Sequence, residues 1–287
     1  MTQPNFAMPA RNRRVLLTSR PVGIPQAAHF SLDEADLDPV GEGQFRVRNL
    51  FLSVDPAQRG WANEGTNYAD PVPLDSTIGI NGLTAWIALT KLGQPTAEET
   101  VLVTTAAGSV GSVVGQLARD AGCRVLGLTG GENKVARCVD RFGYHAAANY
   151  KSGDVGQIVG ELAPDGIDVL FDNVGGPILD IALRSMNVGG RVVQCGTASI
   201  ANWDPAPIGL RNEREVLMRR LRWGGFVIFD HKDDFPDALR ALEGLIETGK
   251  LTYDEDITTG FAAAPGAIAR LYAGENAGKQ LFYVGDA

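Results

Sequence analysis

The stretch that most restricts what this chain can become is Thr100 to Gln116, TVLVTTAAGSVGSVVGQ. An apolar, β-branched run (Val101, Leu102, Val103, Thr104) ends in Ala106-Ala107-Gly108-Ser109-Val110-Gly111. A helical pattern follows at once with Val113, Val114, Leu117 and Ala118. Strand, glycine turn and helix in that order open a dinucleotide-binding unit. Gly108 lets the backbone approach a pyrophosphate, and Gly111 lets the helix pack tightly on the strand. The helix start offers N–H groups and the positive end of its dipole to phosphate. Ala106 stands where the usual motif has its first glycine. The competing reading of such a motif is a tight turn that holds no ligand.

Context favours a ligand. A second strand, Arg124 to Thr129 (RVLGLT), closes the βαβ unit. An NAD site usually carries Asp or Glu about 20 residues past the first glycine, for the ribose 2′-hydroxyl. Here that region reads Leu128-Thr129-Gly130-Gly131, with no carboxylate at the strand tip and Lys134 just beyond. A carboxylate there would repel a 2′-phosphate and a cation would attract it, so the pattern predicts NADP(H). The alternative for Lys134 is a solvated lysine on a helix face.

Strand and helix patterns continue to alternate. Helices are expected over Ala85–Leu92, Glu132–Phe142, Asp154–Leu162 with Asp154 as cap, Pro177–Met186, Arg211–Leu221, Asp233–Thr248 and Pro265–Tyr272. Strands are expected at Arg14–Ser19, from Gln44 towards Ser53, and at Ala146–Asn149, Ile167–Asp172, Gly190–Gly196, Gly225–Phe229 (the sixth of the main sheet) and Gln280–Val284. Residues 55–76 read as irregular. The alternation between residues 100 and 230 predicts an α/β fold with a doubly wound parallel sheet. Its strand tips carry small or polar residues (Ala106-Ala107, Thr129-Gly130, Asn173-Val174, Gly196-Thr197), which leaves room for an extended cofactor.

With 287 residues the chain is long enough for two domains. A net charge of −8 argues against a nucleic-acid binder. The basic run Arg211 to Arg222 reads as a helix with a solvated charged face. The sequence has neither an apolar run long enough to span a bilayer nor a signal-peptide core near Met1, so a cytoplasmic enzyme is the expectation. Three scattered cysteines (Cys123, Cys138, Cys195) and three scattered histidines (His29, His145, His231) imply no disulfide framework and no metal centre.

The segments AAGSVGSVVGQLA, GCRVLGL, DGIDVLFDNVGG, RVVQCG, RWGGFVIFD, GKLTYDEDI and GENAGKQLFYV, with FLSVDPAQRG nearer the start, form a specific set. The chain resembles the zinc-independent medium-chain dehydrogenase/reductases, in the branch of leukotriene B4 dehydrogenase, prostaglandin reductase and alkenal double-bond reductase. The resemblance implies a Rossmann domain over 78–231 and a GroES-like β domain from 1–77 and 232–287. It implies NADPH-dependent reduction of a C=C bond conjugated to a carbonyl, on a small unsaturated carbonyl substrate, in a homodimer. By resemblance the pyrophosphate turn is Gly108, Val110 and Gly111, and the 2′-phosphate contacts are Lys134 and Tyr150. Asn173, Gly196 and Ser199 lie along the cofactor. Phe226 and Phe229 flank the nicotinamide, Thr84 lies opposite, and Asn276 reaches back to the cofactor.

This chain departs from the branch in three ways. Several dozen residues that normally separate PVPL from GLTAW are missing, so Leu74 is almost joined to Asn81 and the GroES-like domain is abbreviated. Ala57 follows the DP pair, where tyrosine is frequent. His231 and Lys232 follow the FD pair after the sixth strand, where a tyrosine commonly assists the substrate oxygen. Those two residues are the candidate catalytic pair: His231 can donate a proton near neutral pH and Lys232 can stabilise enolate charge. Arg59 and Tyr68 lie in the other candidate pocket wall, with a surface salt bridge and a packed aromatic as their structural readings. Two other functions fit the same residues: an NADP(H)-binding module that has lost catalysis, and a quinone reductase. The purified protein should bind NADPH more tightly than NADH in calorimetry; equal affinities would remove the 2′-phosphate assignment.

Overall fold

The computed structural model describes residues 9, 11–43, 46, 48–56, 58–59, 79–200 and 207–285. Its strands, in chain order, are β1 (Arg11–Leu17), β2 (Phe30–Asp36), β3 (Phe51–Ser53), β4 (Thr100–Thr104), β5 (Arg124–Thr129), β6 (Ala146–Asn149), β7 (Ile167–Asp172), β8 (Met186–Gln194), β9 (Arg222–Gly225), β10 (Glu255–Thr259) and β11 (Lys279–Tyr283). The α-helices are α1 (Gly79–Ala88), α2 (Gly111–Asp120), α3 (Glu132–Ala136), α4 (Val155–Leu162), α5 (Gly176–Ala182), α6 (Glu213–Arg219), α7 (Phe235–Glu247) and α8 (Ala267–Ala273). Two compact units result, Pro71–Asp254 and Met1–Asp70 with Glu255–Ala287.

The larger unit is built on a six-stranded sheet in the order β6-β5-β4-β7-β8-β9, parallel throughout. The chain works outward from β4 to β6, returns to lay β7 against the other side of β4, and works outward again. The order reverses between β4 and β7. At such a switch point the loops leave in opposite directions and open a crevice at the carboxyl ends of the strands.

Alternation within each strand divides the core in two. Val101, Val103, Val125, Val169, Phe171 and Val193 pack with residues of α1, α2 and α7. Leu102, Leu126, Leu128, Leu170 and Val192 pack with residues of α4 and α5. Because both faces are covered, every residue of β4 is buried, and its sequence shows an unbroken apolar run instead of a two-residue period. Asp154 caps α4 as expected, its Oδ1 accepting from the Gln157 N–H at 2.9 Å.

Two expectations for this unit need correction. The sixth strand is Arg222–Gly225, not Gly225–Phe229. The GFVIF run is apolar for a different reason. The Phe226 N–H makes a last bond to the Gln194 carbonyl at 3.0 Å, and the chain then coils into a 3₁₀ segment, Ile228–Asp234. Phe226 and Ile228 are buried by helix packing rather than by strand pairing. The second correction is the domain boundary. The division at 231/232 puts α7 with the small unit, whereas Ala238 and Leu242 of α7 and the following Leu251 are buried in the core of the large sheet. Gln116 also holds Thr252, its Nε2 donating to the Thr252 carbonyl and its Oε1 accepting the Thr252 N–H, both at 2.8 Å. The boundary therefore falls at 254/255.

In the smaller unit, β10 and β11 run parallel, β11 is antiparallel to β3, and α8 lies between β10 and β11 in sequence. Val54, Ala267, Ile268 and Phe282 form its core. A separate hairpin pairs β1 with β2, setting Arg11, Arg13 and Arg14 opposite Asp36, Glu34 and Asp33. Neither β2 nor β10 has an apolar period, so periodicity misses both; the complementary charges across β1 and β2 were the available signal. Of the strand expected from Gln44, only Phe51–Ser53 is a described strand. Ala57, Tyr68 and most of 55–76 lie outside the described residues. The three cysteines are free; Cys123 and Cys138 are buried and Cys195 is partly so.

Leu170 has no exposed surface and Ile208 is fully exposed. Leu170→Ala should cost about 2–5 kcal/mol in denaturant unfolding, and Ile208→Ala should be neutral within about 0.5 kcal/mol.

Candidate active site at the switch point of the sheet

The glycine turn sits at the tip of β4. Thr105 adopts a positive φ of 54° and its carbonyl accepts the Gly108 N–H at 2.8 Å. A Cβ on Gly108 would lie 3.0 Å from that carbonyl oxygen. A Cβ on Gly111 would collide with it outright, so only glycine lets α2 begin this close to the strand. Among the described residues no side chain caps the first turn of α2; the Ser112 and Val113 N–H groups turn back to the Gly108 and Val110 carbonyls at 2.8 and 3.1 Å, and the positive end of the helix dipole lies at the glycine turn. The substitution at Ala106 is accommodated across the sheet: a Cβ on Gly127 of β5 would lie 2.8 Å from the Ala106 methyl. The glycine omitted from the turn is, in effect, carried by the neighbouring strand.

Tyr144 pins this turn from beneath, a role its isolated position in the sequence does not reveal. It is buried, and its hydroxyl donates to the Gly111 carbonyl at 2.7 Å. Its ring passes so close to Gly115 that any side chain there would overlap it. Burial raises the phenol well above its ordinary pKa, so it remains a donor. On the other side of the turn, Asn81 of α1 donates to the Ser109 Oγ at 2.8 Å. Thr84, one helical turn further on, is buried in the same helix.

The crevice floor is organised by Asp172, the last residue of β7 and fully buried. Its Oδ1 accepts from Thr104 Oγ1 at 2.7 Å and from the Val174 N–H at 3.2 Å. Its Oδ2 accepts from Gln194 Nε2 at 2.6 Å and from the Gly175 N–H at 2.7 Å. One carboxylate thus ties the tips of β4, β7 and β8. Burial nevertheless outweighs these four bonds and leaves the carboxyl above its ordinary pKa. Asn173 is fixed by the same group of residues, its N–H donating to Thr104 Oγ1 at 2.8 Å and its Nδ2 to the Thr104 carbonyl at 3.0 Å. Gly196 lies against it, where a Cβ would come 2.7 Å from the Asn173 carbonyl oxygen. Ser199 Oγ donates to the Val174 carbonyl at 2.8 Å. An acid closing an apolar strand, IDVLFD, was the legible sign of Asp172.

The β5 tip carries the second group of candidates. A Cβ on Gly130 would lie 3.2 Å from the Tyr150 hydroxyl, so the tyrosine lies over bare backbone. Lys134 is half-buried one turn into α3. Burial, then the positive charges of Arg137 and Lys151, depress its pKa below the ordinary lysine value. Glu132, the acid nearest in sequence, accepts from Asn149 Nδ2 at 2.9 Å.

The 3₁₀ segment after β9 places the remaining candidates. His231 stacks on Phe226 with ring centroids 4.9 Å apart and planes 10° from parallel. Its Nδ1 lies 3.4 Å from Asp234 Oδ2, and the same oxygen takes Lys91 Nζ at 2.8 Å. Phe229 packs against the core with α1 and α2. Lys232 is exposed. Asn276 belongs to the smaller unit, where its Nδ2 donates to the Gly278 carbonyl at 2.8 Å, and Arg59 lies over the Tyr272 ring at 4.9 Å. Among the described residues no group of three or more His, Cys, Asp or Glu side chains is placed to hold a metal.

Within the larger unit, then, a glycine turn, an uncapped helix start, a braced Asn173 and a cationic strand tip lie along one doubly wound sheet. Such an arrangement at the switch point of a sheet is where α/β oxidoreductases hold a dinucleotide. Residues 13–85 match the family described as the N-terminal domain of oxidoreductase, and residues 109–244 the family described as zinc-binding dehydrogenase. The NADP⁺-dependent 2-alkenal reductase of Nicotiana tabacum is 38% identical, with 95% of this chain and 97% of that protein covered. Prostaglandin reductase 1 of Bos taurus is 31% identical, with 91% and 95% covered. The structure of CurA from Vibrio vulnificus in complex with NADPH superposes with a TM-score of 0.89 at 28% identity, covering 95% and 99%. This chain belongs to the zinc-independent medium-chain dehydrogenase/reductases, in the branch that includes the alkenal and prostaglandin reductases. The alignment with the tobacco enzyme runs over 335 residues, against 287 in this whole chain, so the relative carries residues that this chain lacks.

Asp172→Ala would leave Thr104, Gln194 and two backbone N–H groups without their acceptor. It should destabilise the protein by about 3–5 kcal/mol in chemical denaturation; a loss below about 1 kcal/mol would show that the carboxylate does not brace the crevice.

Proposed function

We propose that this protein is an NADPH-dependent oxidoreductase that reduces the C=C bond of an α,β-unsaturated ketone or aldehyde. The observation that carries the reading is the tip of β5. There Gly130, Tyr150 and Lys134 make a cationic, carboxylate-poor surface beside a glycine turn that a Cβ would fill. Such a surface suits a phosphorylated ribose and disfavours one with a free 2′-hydroxyl. The names of the relatives agree, since the tobacco enzyme is an NADP⁺-dependent 2-alkenal reductase.

The residues present fit the cofactor. Gly108, Val110 and Gly111 would receive the pyrophosphate, Lys134 and Tyr150 the 2′-phosphate, and Asn173, Gly196 and Ser199 the middle of the molecule. Thr84, Phe226 and Phe229 would border the nicotinamide. When bound, the reduced nicotinamide supplies a hydride. The protein's part is to hold the acceptor carbon in reach, to exclude water and to meet the charge that grows on the carbonyl oxygen. His231 is the candidate donor to that oxygen. Phe226 fixes its ring plane by stacking, and Asp234 faces its Nδ1, which leaves Nε2 for the substrate. Lys232, exposed beside it, would add positive charge. The brace around Asp172 argues for catalysis over a binding-only role, because four donors still converge on its carboxylate.

We also infer a homodimer formed through the edge of the main sheet. β9 is its outermost strand on that side, and Trp223 of β9 and Leu217 and Met218 of α6 are exposed there. Light scattering should give twice the chain mass; a monomer at working concentration would reject this inference.

NADPH consumption against a panel of enones, enals and quinones tests the activity. Turnover is expected with enones or enals and not with quinones, and no turnover with any of them would overturn the reductase reading. Replacing His231 and Lys232 together by alanine should lower turnover about tenfold or more, and unchanged turnover would remove both from the mechanism. The preference for NADPH over NADH should also narrow as pH rises through the depressed pKa of Lys134. Its ammonium loses its proton below the ordinary value of 10.5. A preference that stays flat up to that value would contradict the role of Lys134.

A further inference from the structure

Lys151 has no role in the reading so far, yet it stands at the same strand tip. Tyr150 N–H bonds to the Thr129 carbonyl at 3.0 Å, which extends the pairing of β5 and β6 by one residue. The Lys151 N–H then bonds to Asn149 Oδ1 at 3.0 Å, turning the chain back over the Gly130 backbone. A Cβ on Gly130 would lie 3.3 Å from Lys151 Cε, almost the distance at which it would meet the Tyr150 hydroxyl. The lysine stem therefore runs beside the tyrosine across the glycine, and its ammonium sits 5.8 Å from the centre of the Tyr150 ring.

Lys134 is repelled by both Arg137 and Lys151. Arg137 is answered by Asp254, which also takes Arg141 Nε at 2.6 Å. Glu132 is turned to Asn149. Among the described residues Lys151 makes no ion pair. The repulsion between Lys134 and Lys151, which runs over the bare glycine, is a cost in the free protein, and an anion placed between them removes it. A phosphate monoester carries close to two negative charges at neutral pH, so it matches two ammonium groups better than one.

We propose that Lys151 is a second ammonium for the 2′-phosphate of the coenzyme, so that Lys134 and Lys151 set the preference for phosphorylated dinucleotide as a pair. The proposal deepens the reading given above and rests on it. Glycine at 130 is then needed for a specific reason: it keeps the floor low enough for Tyr150 and Lys151 to share it.

The test uses adenosine 2′,5′-bisphosphate and adenosine 5′-monophosphate as probes, in calorimetry on the full chain. Wild type should prefer the bisphosphate. Lys151→Gln should weaken the bisphosphate about tenfold and leave the monophosphate unchanged, the latter also showing that the variant is folded. Lys151→Arg should keep most of the preference. The salt dependence of bisphosphate binding should become shallower in Lys151→Gln, because one charge fewer is engaged. If Lys134→Gln weakens the bisphosphate and Lys151→Gln does not, this proposal is wrong while the coenzyme assignment stands. If wild type binds the two probes equally, the coenzyme assignment itself fails and the proposal goes with it.

Discussion

Everything at this site depends on how closely α2 approaches the end of β4. At Gly111 the helix starts against the Thr105 carbonyl with no room for a side chain, and this closeness keeps bare main chain at the head of the crevice. The approach is held from two directions. Tyr144 bonds the Gly111 carbonyl from within the core, and Gly115 and Gly127 are the places where the chain gives up side chains to admit that ring and the Ala106 methyl. Asn81 ties the exposed side of the turn through Ser109. These contacts offset the conformational freedom that a loop of small residues loses on folding.

The second constraint is Asp172. A carboxylate away from water is costly unless its oxygens are met by donors, and here four donors from three strand tips converge on it. The bonds that make the acid tolerable also make the crevice floor a single piece. Asn173, Gly175 and Gly196 inherit their positions from it. The two constraints lie on either side of the point where the strand order reverses, so the open part of the sheet is flanked by two braced strand tips.

Much of this was legible in the sequence, for reasons that can be named. Buried parallel strands are short, unbroken apolar runs, and β4, β5 and β7 were found within a residue or two of their limits. Glycines that admit close approach announce themselves after such a run. Residues that act through a partner distant in sequence were not legible. Tyr144 matters only because Gly111 and Gly115 lie over it, and Gln194 only because Asp172 lies opposite. The run after β9 misled for a related reason. An apolar stretch states that it is buried, and whether strands or helices bury it is decided by tertiary packing. The charged strand β2 escaped because its stabilising pattern lies across the hairpin, in arginines facing carboxylates, rather than along it.

The central claim is that a phosphorylated dinucleotide lies along the carboxyl ends of this sheet, its pyrophosphate on the glycine turn and its extra phosphate at the tip of β5. A crystal structure of the protein grown with NADPH tests it directly. The account predicts pyrophosphate density within hydrogen-bonding distance of the backbone between Gly108 and Gly111, and the 2′-phosphate against Lys134 and Tyr150. Coenzyme bound elsewhere, or a crevice left empty at saturating NADPH, would contradict it.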